Sequence, residues 1–360
     1  MDITAIDPNF TPKTLPAGMQ AEFHSIMEAP FCIEGLPFRK NGEFYRLDDR
    51  LREDQVNPGV PELAHHTTGG AVRFVTDSPF LLLHAKLSYS CDWNHMPRTG
   101  AGGADLYVGS GKEKFFAGVL QPGYRAEEAE GFFDLTPLKE GLREITVNFP
   151  LYGGLRDLVI GLRPGSRLLA PAPHALPHPV CFYGSSITQG GCASRPGNTY
   201  CAHLCRALDA EQWNLGFSGS GKGEIKIAEM IARHPLSLFV LDYDHNTPNP
   251  EHLRQTHEAF FLRIRKSQKD LPVIFLSRCD IYFWKTSYSD DCICRDIIRR
   301  TQANAVGRGD RKTAFIDGEE LFGTDASRGE CTVDGIHPND LGFFRMYQRI
   351  LPVARQLLSI

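Results

Sequence analysis

The stretch Val180-Cys-Phe-Tyr-Gly-Ser-Ser-Ile-Thr-Gln-Gly190 constrains this chain more than any other. Val180-Cys-Phe-Tyr183 is a short, β-prone apolar run flanked by turn formers, the pattern of a strand buried on both faces of a parallel sheet. Gly184 ends the run and permits a tight turn, two serines follow, and Thr199 to Leu208 carries a helical pattern. A strand, a sharp turn and a helix bring the turn to the carboxyl edge of an open α/β sheet, where such folds bind ligands. Ser186 is therefore a candidate nucleophile. A glycine-serine turn without chemistry is spelled the same way, so partners elsewhere in the chain must distinguish the two.

The periodicity on the two sides of residues 164–179 differs. Before it, runs such as Phe31–Ile33, Phe44–Leu47, Ala71–Val75, Phe80–Leu87, Asp105–Val108, Lys114–Val119, Arg143–Phe149 and Leu155–Leu162 are separated by Gly, Pro and Asn clusters. Short punctuated strands of this kind predict an antiparallel β-sandwich, jelly-roll-like, over residues 21–165. Residues 1–20 read as an irregular arm, because Pro8, Pro12 and Pro16 oppose regular structure. Residues 166–179, with prolines at 171, 173, 177 and 179, read as a stiff linker. After it, strands at Val180–Tyr183, Gln212–Leu215, Leu236–Leu241, Leu271–Leu276 and Ala314–Asp317 alternate with helices near 199–209, 224–233, 251–268, 290–305 and 340–358. That alternation predicts a three-layer, doubly wound, flavodoxin-like parallel sheet of five strands over residues 180–360.

Composition excludes some functions. A formal net charge of -4 supplies no electrostatic reason to bind nucleic acid or a membrane surface. No apolar run approaches a membrane span, and the start, Met1 to Asp7, shows no signal-peptide pattern, so a cytoplasmic location is expected. The ten cysteines then read as reduced, mostly buried thiols. Their spacing, like that of His174 and His178, does not build a metal site. Oligomeric state is left open.

Residues with chemical potential fall in four places at or after strand ends. These are Ser186, the segment Asn214–Gly223, the segment Leu241–Asn246, and Asp334-Gly-Ile-His337. Asp and His three residues apart on one turn can meet, so the carboxylate can accept an imidazole N–H and leave the other nitrogen free to take a serine proton. Acyl transfer also needs donors where negative charge develops, each worth about 3 kcal/mol of barrier. Gly219 could offer a backbone N–H and Asn246 a side-chain one.

In this order the four segments resemble the four blocks of the SGNH (GDSL-like) hydrolase superfamily. Gly184-Ser-Ser-Ile-Thr188 resembles the first block, Ser218-Gly219 the second, Asn246 the third and Asp334-Gly-Ile-His337 the fourth. Gly103-Ala-Asp-Leu-Tyr107 resembles the G-x-D-L-Y signature of a two-domain branch whose β-sandwich precedes the hydrolase. The resemblance implies a serine esterase of short acyl esters, often acetyl groups on carbohydrates, with no metal or organic cofactor. Ser186 would be the nucleophile, His337 the base and Asp334 its orienting acid, with Ser186, Gly219 and Asn246 holding the oxyanion. Two positions depart from the pattern: Ser185 stands where an acidic residue is usual, and Asp244-His-Asn-Thr247 replaces Gly-x-Asn-Asp.

Trp93 and His95, in the long loop before Asp105, are candidates for the substrate rim, as are Arg195 and Lys222. The stretch Gly216–Gly223 nearly spells a P-loop, but Gly223 stands where magnesium would need Ser or Thr. Asp242, Asp244 and His245 read as hydrogen-bonding residues, and His65 and His66 as surface or structural ones. The rival functions are an acyltransferase with the same residues and an alcohol acceptor, and an inactive glycan-binding protein.

Overall fold

The computed structural model describes residues 6–7, 11, 13–281 and 289–360. Of the expected arm at 1–20, residues 1–5, 8–10 and 12, with Pro8 and Pro12, lie outside the described residues. Glu22 to Leu169 forms two main antiparallel sheets. One orders Glu22–Ser25, Leu155–Leu162, Phe80–Leu87 and Glu128–Asp134; the other orders Leu168–Leu169, Ala71–Thr76, Arg143–Asn148, Ala104–Val108 and Phe115–Leu120, with Cys32–Glu34 also on Ala71–Thr76. Alternate residues of each strand face inward, so Leu81, Leu83, Leu158 and Ile160 of the first sheet meet Val72, Phe74, Ile145 and Val147 of the second in one core. Each such side chain, fully withdrawn from water, contributes about 1.5–3 kcal/mol. Glu128–Asp134 is a strand that its sequence conceals: Ala129, Gly131 and Phe133 turn inward while Glu128, Glu130 and Asp134 face solvent.

The second half is a single parallel sheet. Its strands are β1 (Val180–Gly184), β2 (Gln212–Gly216), β3 (Leu238–Asp242), β4 (Val273–Leu276) and β5 (Thr313–Ile316), in the order β2-β1-β3-β4-β5. Helices α1 (Ser186–Gln189), α2 (Tyr200–Leu208), α3 (Ile225–Ile231), α4 (Pro250–Ser267), α5 (Asp290–Gly307) and α6 (Asp340–Leu358) run between and after them. Both faces of the sheet are covered, which is why its inner strands β1, β3 and β4 read as mostly apolar runs. Cys181, Tyr183, Phe239, Leu241, Val273 and Phe275 pack with residues of α3, α4 and α5. Val180, Phe182, Leu238, Val240, Ile274 and Leu276 pack with residues of α2 and α6. The strand order turns back at β1 and β3, so the crevice at their carboxyl ends is where this topology leaves room for a ligand. No helix among the described residues is long and apolar enough to cross a membrane.

The two halves share buried polar contacts. Arg46 of the first half is fully buried and donates to the carbonyls of Asn214 (3.0 Å), Gly216 (2.7 Å) and Leu63 (2.6 Å). Its guanidinium also lies 4.5 Å from the Phe217 ring centre. Burial pushes its pKa down to about 9, so it stays charged at neutral pH while gripping the end of β2.

His174 makes a second clasp. Its Nε2 lies 3.0 Å from Glu34 and its Nδ1 2.8 Å from Asp209, with Arg73 joining Glu34 at 2.6 Å and Glu144 at 2.8 Å. Burial alone would lower the imidazole, but the two carboxylates outweigh burial and hold its pKa above the ordinary value. A raised histidine contributes stability that is complete below its unfolded pKa, about 6.5, and is lost as pH rises through the folded one. His174→Gln should therefore cost more thermal stability at about pH 5.5 than at about pH 8.5, as read from melting midpoints of parent and variant.

Candidate active site

The turn after β1 is shaped by its neighbours. A methyl group on Gly184 would sit 2.0 Å from Thr188 Oγ1 and 2.3 Å from the Asp242 carbonyl, so only glycine fits. Ser185, which replaces the usual acid, caps α1 by accepting the Ile187 N–H at 3.2 Å. This brings Ser186 to the first position of the short helix, where its own N–H has no intrahelical acceptor. Below the turn, Asp242 is completely buried between Thr188 Oγ1 (3.1 Å) and Tyr200 OH (3.0 Å). Burial and nearby Asp244 push its carboxyl up to about 8, so at neutral pH it is largely the neutral acid.

His337 arrives from the loop ahead of α6. Asp334 Oδ1 accepts the N–H groups of Ile336 (3.0 Å) and His337 (2.7 Å), a closed Asx turn that leaves Oδ2 free to meet His337 Nδ1 at 2.7 Å. The other imidazole nitrogen, Nε2, lies 2.9 Å from Ser186 Oγ. Burial would raise the Asp334 carboxyl, but the backbone N–H and imidazole of His337 outweigh it and hold it at about 2, fully ionised at neutral pH. The loop is anchored from behind by Asp340, which accepts the Ser194 N–H at 2.8 Å and the Asn198 side-chain amide at 2.7 Å. Ser186, Asp334 and His337, 148 to 151 positions apart at the extremes, are in hydrogen-bonded series.

Gly219 and Asn246 lie beside them on the wall of a pocket of about 600 Å³ that also includes Trp93, His95, Tyr152, Ser186, His245, Arg278 and His337. Gly219 adopts a left-handed φ of +63°, and its N–H has no partner among the described residues. Asn246 behaves otherwise. Its Nδ2 lies 3.0 Å from the Phe217 carbonyl and 2.9 Å from the Gly221 carbonyl, so both of its N–H groups already have acceptors. The amide is held against the glycine-rich loop by these two carbonyls, which point toward it. A phosphate would need the opposite polarity there, which disfavours the P-loop resemblance.

Two rim expectations need correcting. Arg195 does not line the pocket: its Nη1 donates to Asp105 Oδ2 at 2.9 Å, and its guanidinium lies 3.9 Å from the Phe116 ring centre, so a buried carboxylate and an aromatic face of the sandwich draw it aside. Lys222 is also outside the lining, because its backbone turns away to meet Glu224 and the His252 ring. Trp93 and His95 do reach the rim. The Trp93 ring, 40% exposed, stands edge-on to Tyr152 at 4.7 Å, and the His95 ring lies 6.1 Å from that of His337.

Sequence reasoning passed over Tyr152, Gln189 and Arg278, and read His66 and His245 only as ordinary polar residues. His245, its side chain 6% exposed, has Nε2 3.6 Å from Asp280; burial pushes its pKa down to about 3 and keeps it neutral. Arg278 is clamped by both oxygens of Asp280, at 2.8 Å each. The one available signal was position: His245 and Arg278 lie in the loops that follow β3 and β4.

Two family models match. Residues 177–355 match the GDSL-like lipase/acylhydrolase family, and residues 21–168 match the GxDLY model, the N-terminus of Esterase_SGNH_hydro-type proteins. The chain belongs to the two-domain SGNH hydrolases. No curated protein matches it. Among solved structures it is similar to a GDSL-like lipase from Bacteroides ovatus ATCC 8483, with 28% identity and a TM-score of 0.82 over 95% of this chain and 99% of that one. The salicylyl-acyltransferase SsfX3 of a tetracycline biosynthetic pathway shares the fold at 19% identity and a TM-score of 0.74, over 94% and 97% of the two chains. A family two carbohydrate esterase from Clostridium thermocellum shares it at 14% identity and a TM-score of 0.56, over 82% and 94%.

In this SGNH hydrolase the GxDLY signature has a physical role. Asp105, fully buried, accepts from Arg195 Nη1 (2.9 Å), the Gly197 N–H (2.8 Å) and Asn148 Nδ2 (2.7 Å), while Tyr107 OH receives a further Arg195 hydrogen bond. Thr99 Oγ1 donates to the Ser194 carbonyl at 2.6 Å. The signature thus ties the sandwich to the loop at 194–198, the same loop that Asp340 holds from the His337 side.

Proposed function

We propose that this SGNH hydrolase is a serine esterase that removes short acyl groups, acetyl foremost, from carbohydrate esters. The observation that carries the reading is the series Ser186 Oγ, His337 Nε2 at 2.9 Å, and Asp334 Oδ2 at 2.7 Å from Nδ1, opening on the pocket. In the proposed cycle, Ser186 Oγ attacks the ester carbonyl as His337 Nε2 takes the hydroxyl proton. Asp334 holds the Nδ1–H and stabilises the imidazolium. The Ser186 and Gly219 N–H groups, neither with an acceptor among the described residues, receive the oxyanion. Collapse breaks the bond to the alcohol, which leaves with the proton from His337, and water then repeats the sequence on the acyl-enzyme. Asn246 joins the oxyanion site in this reading by giving up one of its two carbonyl acceptors.

The substrate class rests on the fold shared with a carbohydrate esterase and on the rim, where the exposed Trp93 ring offers an apolar face to a sugar. A glycan-binding protein without activity would have no need of the Ser186–His337–Asp334 series. Transfer to an alcohol would use the same acyl-enzyme, and the shared fold of the salicylyl-acyltransferase keeps that as the second reading. The test is to quench the enzyme during turnover of p-nitrophenyl acetate and weigh its peptides. One added acetyl group on the peptide containing Ser186 is expected, and an unmodified Ser186 peptide with acetyl elsewhere would overturn the assignment. Acetylated cello- or manno-oligosaccharides should release free acetate, whereas acetate appearing only on added alcohols would select transfer.

A further inference from the structure

Gly219 raises a structural question: what holds its N–H in place. A methyl group at Gly219 would meet no atom within 4 Å, so nothing presses on the Cβ side of this residue. Its neighbour Ser218, by contrast, is held at two points. The Ser218 N–H donates to Gln189 Oε1 at 3.0 Å, and Gln189, fully buried at the end of α1, has Nε2 2.9 Å from His66 Nδ1 on the sandwich. Burial pushes the His66 pKa down to about 3, which keeps the ring neutral and Nδ1 able to accept. On the other side, Tyr152 OH lies 2.8 Å from Ser218 Oγ and 3.4 Å from the Ser186 carbonyl. Burial drives the Tyr152 phenol well above its ordinary pKa, so it remains a hydroxyl.

We propose that Tyr152, together with His66 acting through Gln189, positions the Gly219 N–H against the Ser186 N–H, so that the β-sandwich sets the geometry of the oxyanion site. The inference rests on the reading of Ser186 as nucleophile. Both partners of Ser218 come from elements that are continuous with that serine or packed on it: Gln189 ends its helix and Tyr152 touches its carbonyl. Tyr152 acts through Ser218 and is a positioning residue. Its effect belongs to the stage at which charge develops on the carbonyl oxygen, so it falls on kcat and spares KM.

The test uses Tyr152→Phe, Ser218→Ala and the double variant with p-nitrophenyl acetate. Each single change should lower kcat about tenfold with KM within about twofold, because a misplaced donor loses only part of its value. The double variant should be no slower than the worse single one, since both changes remove the same hydrogen bond. Additive losses, a loss carried by KM, or full kcat in either single variant would overturn the proposal. Ser186→Ala is measured alongside. If it is inactive while Tyr152→Phe keeps full kcat, the positioning role alone fails; if Ser186→Ala is active, the nucleophile reading falls and this proposal with it.

Discussion

Ser186→Ala and His337→Ala are each expected to lower kcat for p-nitrophenyl acetate by about 10⁴–10⁶-fold, with the melting midpoint unchanged. A serine hydroxyl is a weak nucleophile until a base 2.9 Å away takes its proton, so losing either partner removes the same step. For that reason the double variant should be no slower than the single ones. Asp334→Ala should cost less, about 10²–10⁴-fold, because it leaves both reacting groups and removes only the orienting carboxylate. The Asp334 side chain is 35% exposed, so water can partly replace it on Nδ1. Steady-state rates with circular dichroism on each variant check the set. Ser186→Ala activity within tenfold of the parent would remove the proposed mechanism.

The second large effect is on stability. Asp105→Ala should lower the unfolding free energy by about 3–5 kcal/mol, because the Arg195 guanidinium is left with Tyr107 OH alone and the buried Gly197 N–H with no acceptor. The carboxylate itself contributes little net stability: burial raises its pKa even against the three donors around it. Breaking such a group is costly for a different reason, since the buried Gly197 N–H cannot recover water and the Arg195 side chain, 20% exposed, recovers it only in part. Activity should fall as well, because the loop freed by the change is the one Asp340 uses to anchor the His337 segment. Urea denaturation of parent and Asp105→Ala measures the effect, and a loss under about 1 kcal/mol would contradict the account. Asp105→Asn should be milder, because the new amide can keep its oxygen on Arg195 and the Gly197 N–H while the Asn148 amide flips to accept its N–H.

Where a property depended on neighbours in sequence, the chain declared it. Doubly covered strands are mostly apolar, so β1, β3 and β4 were visible as runs, and β2 and β5 by their alternation with helices. The Asp334–His337 contact spans three positions on one turn, so its geometry followed from spacing. Glu128–Asp134 escaped because its outward glutamates mask an alternation that only the facing sheet explains. The remaining features needed tertiary structure. Gln189 meets His66 across 123 positions, and Tyr152 meets Ser218 across 66. No periodicity encodes such pairs, because each side chain satisfies its hydrogen-bonding need with whatever the packed domains bring near. Arg195 and Asn246 mark the same limit: their chemistry suits a pocket, yet a buried carboxylate claims one and two backbone carbonyls hold the other. Sequence determined which elements form and which groups are capable of reacting. The packing of sandwich against sheet decided which of those groups are already engaged and which are left facing the pocket.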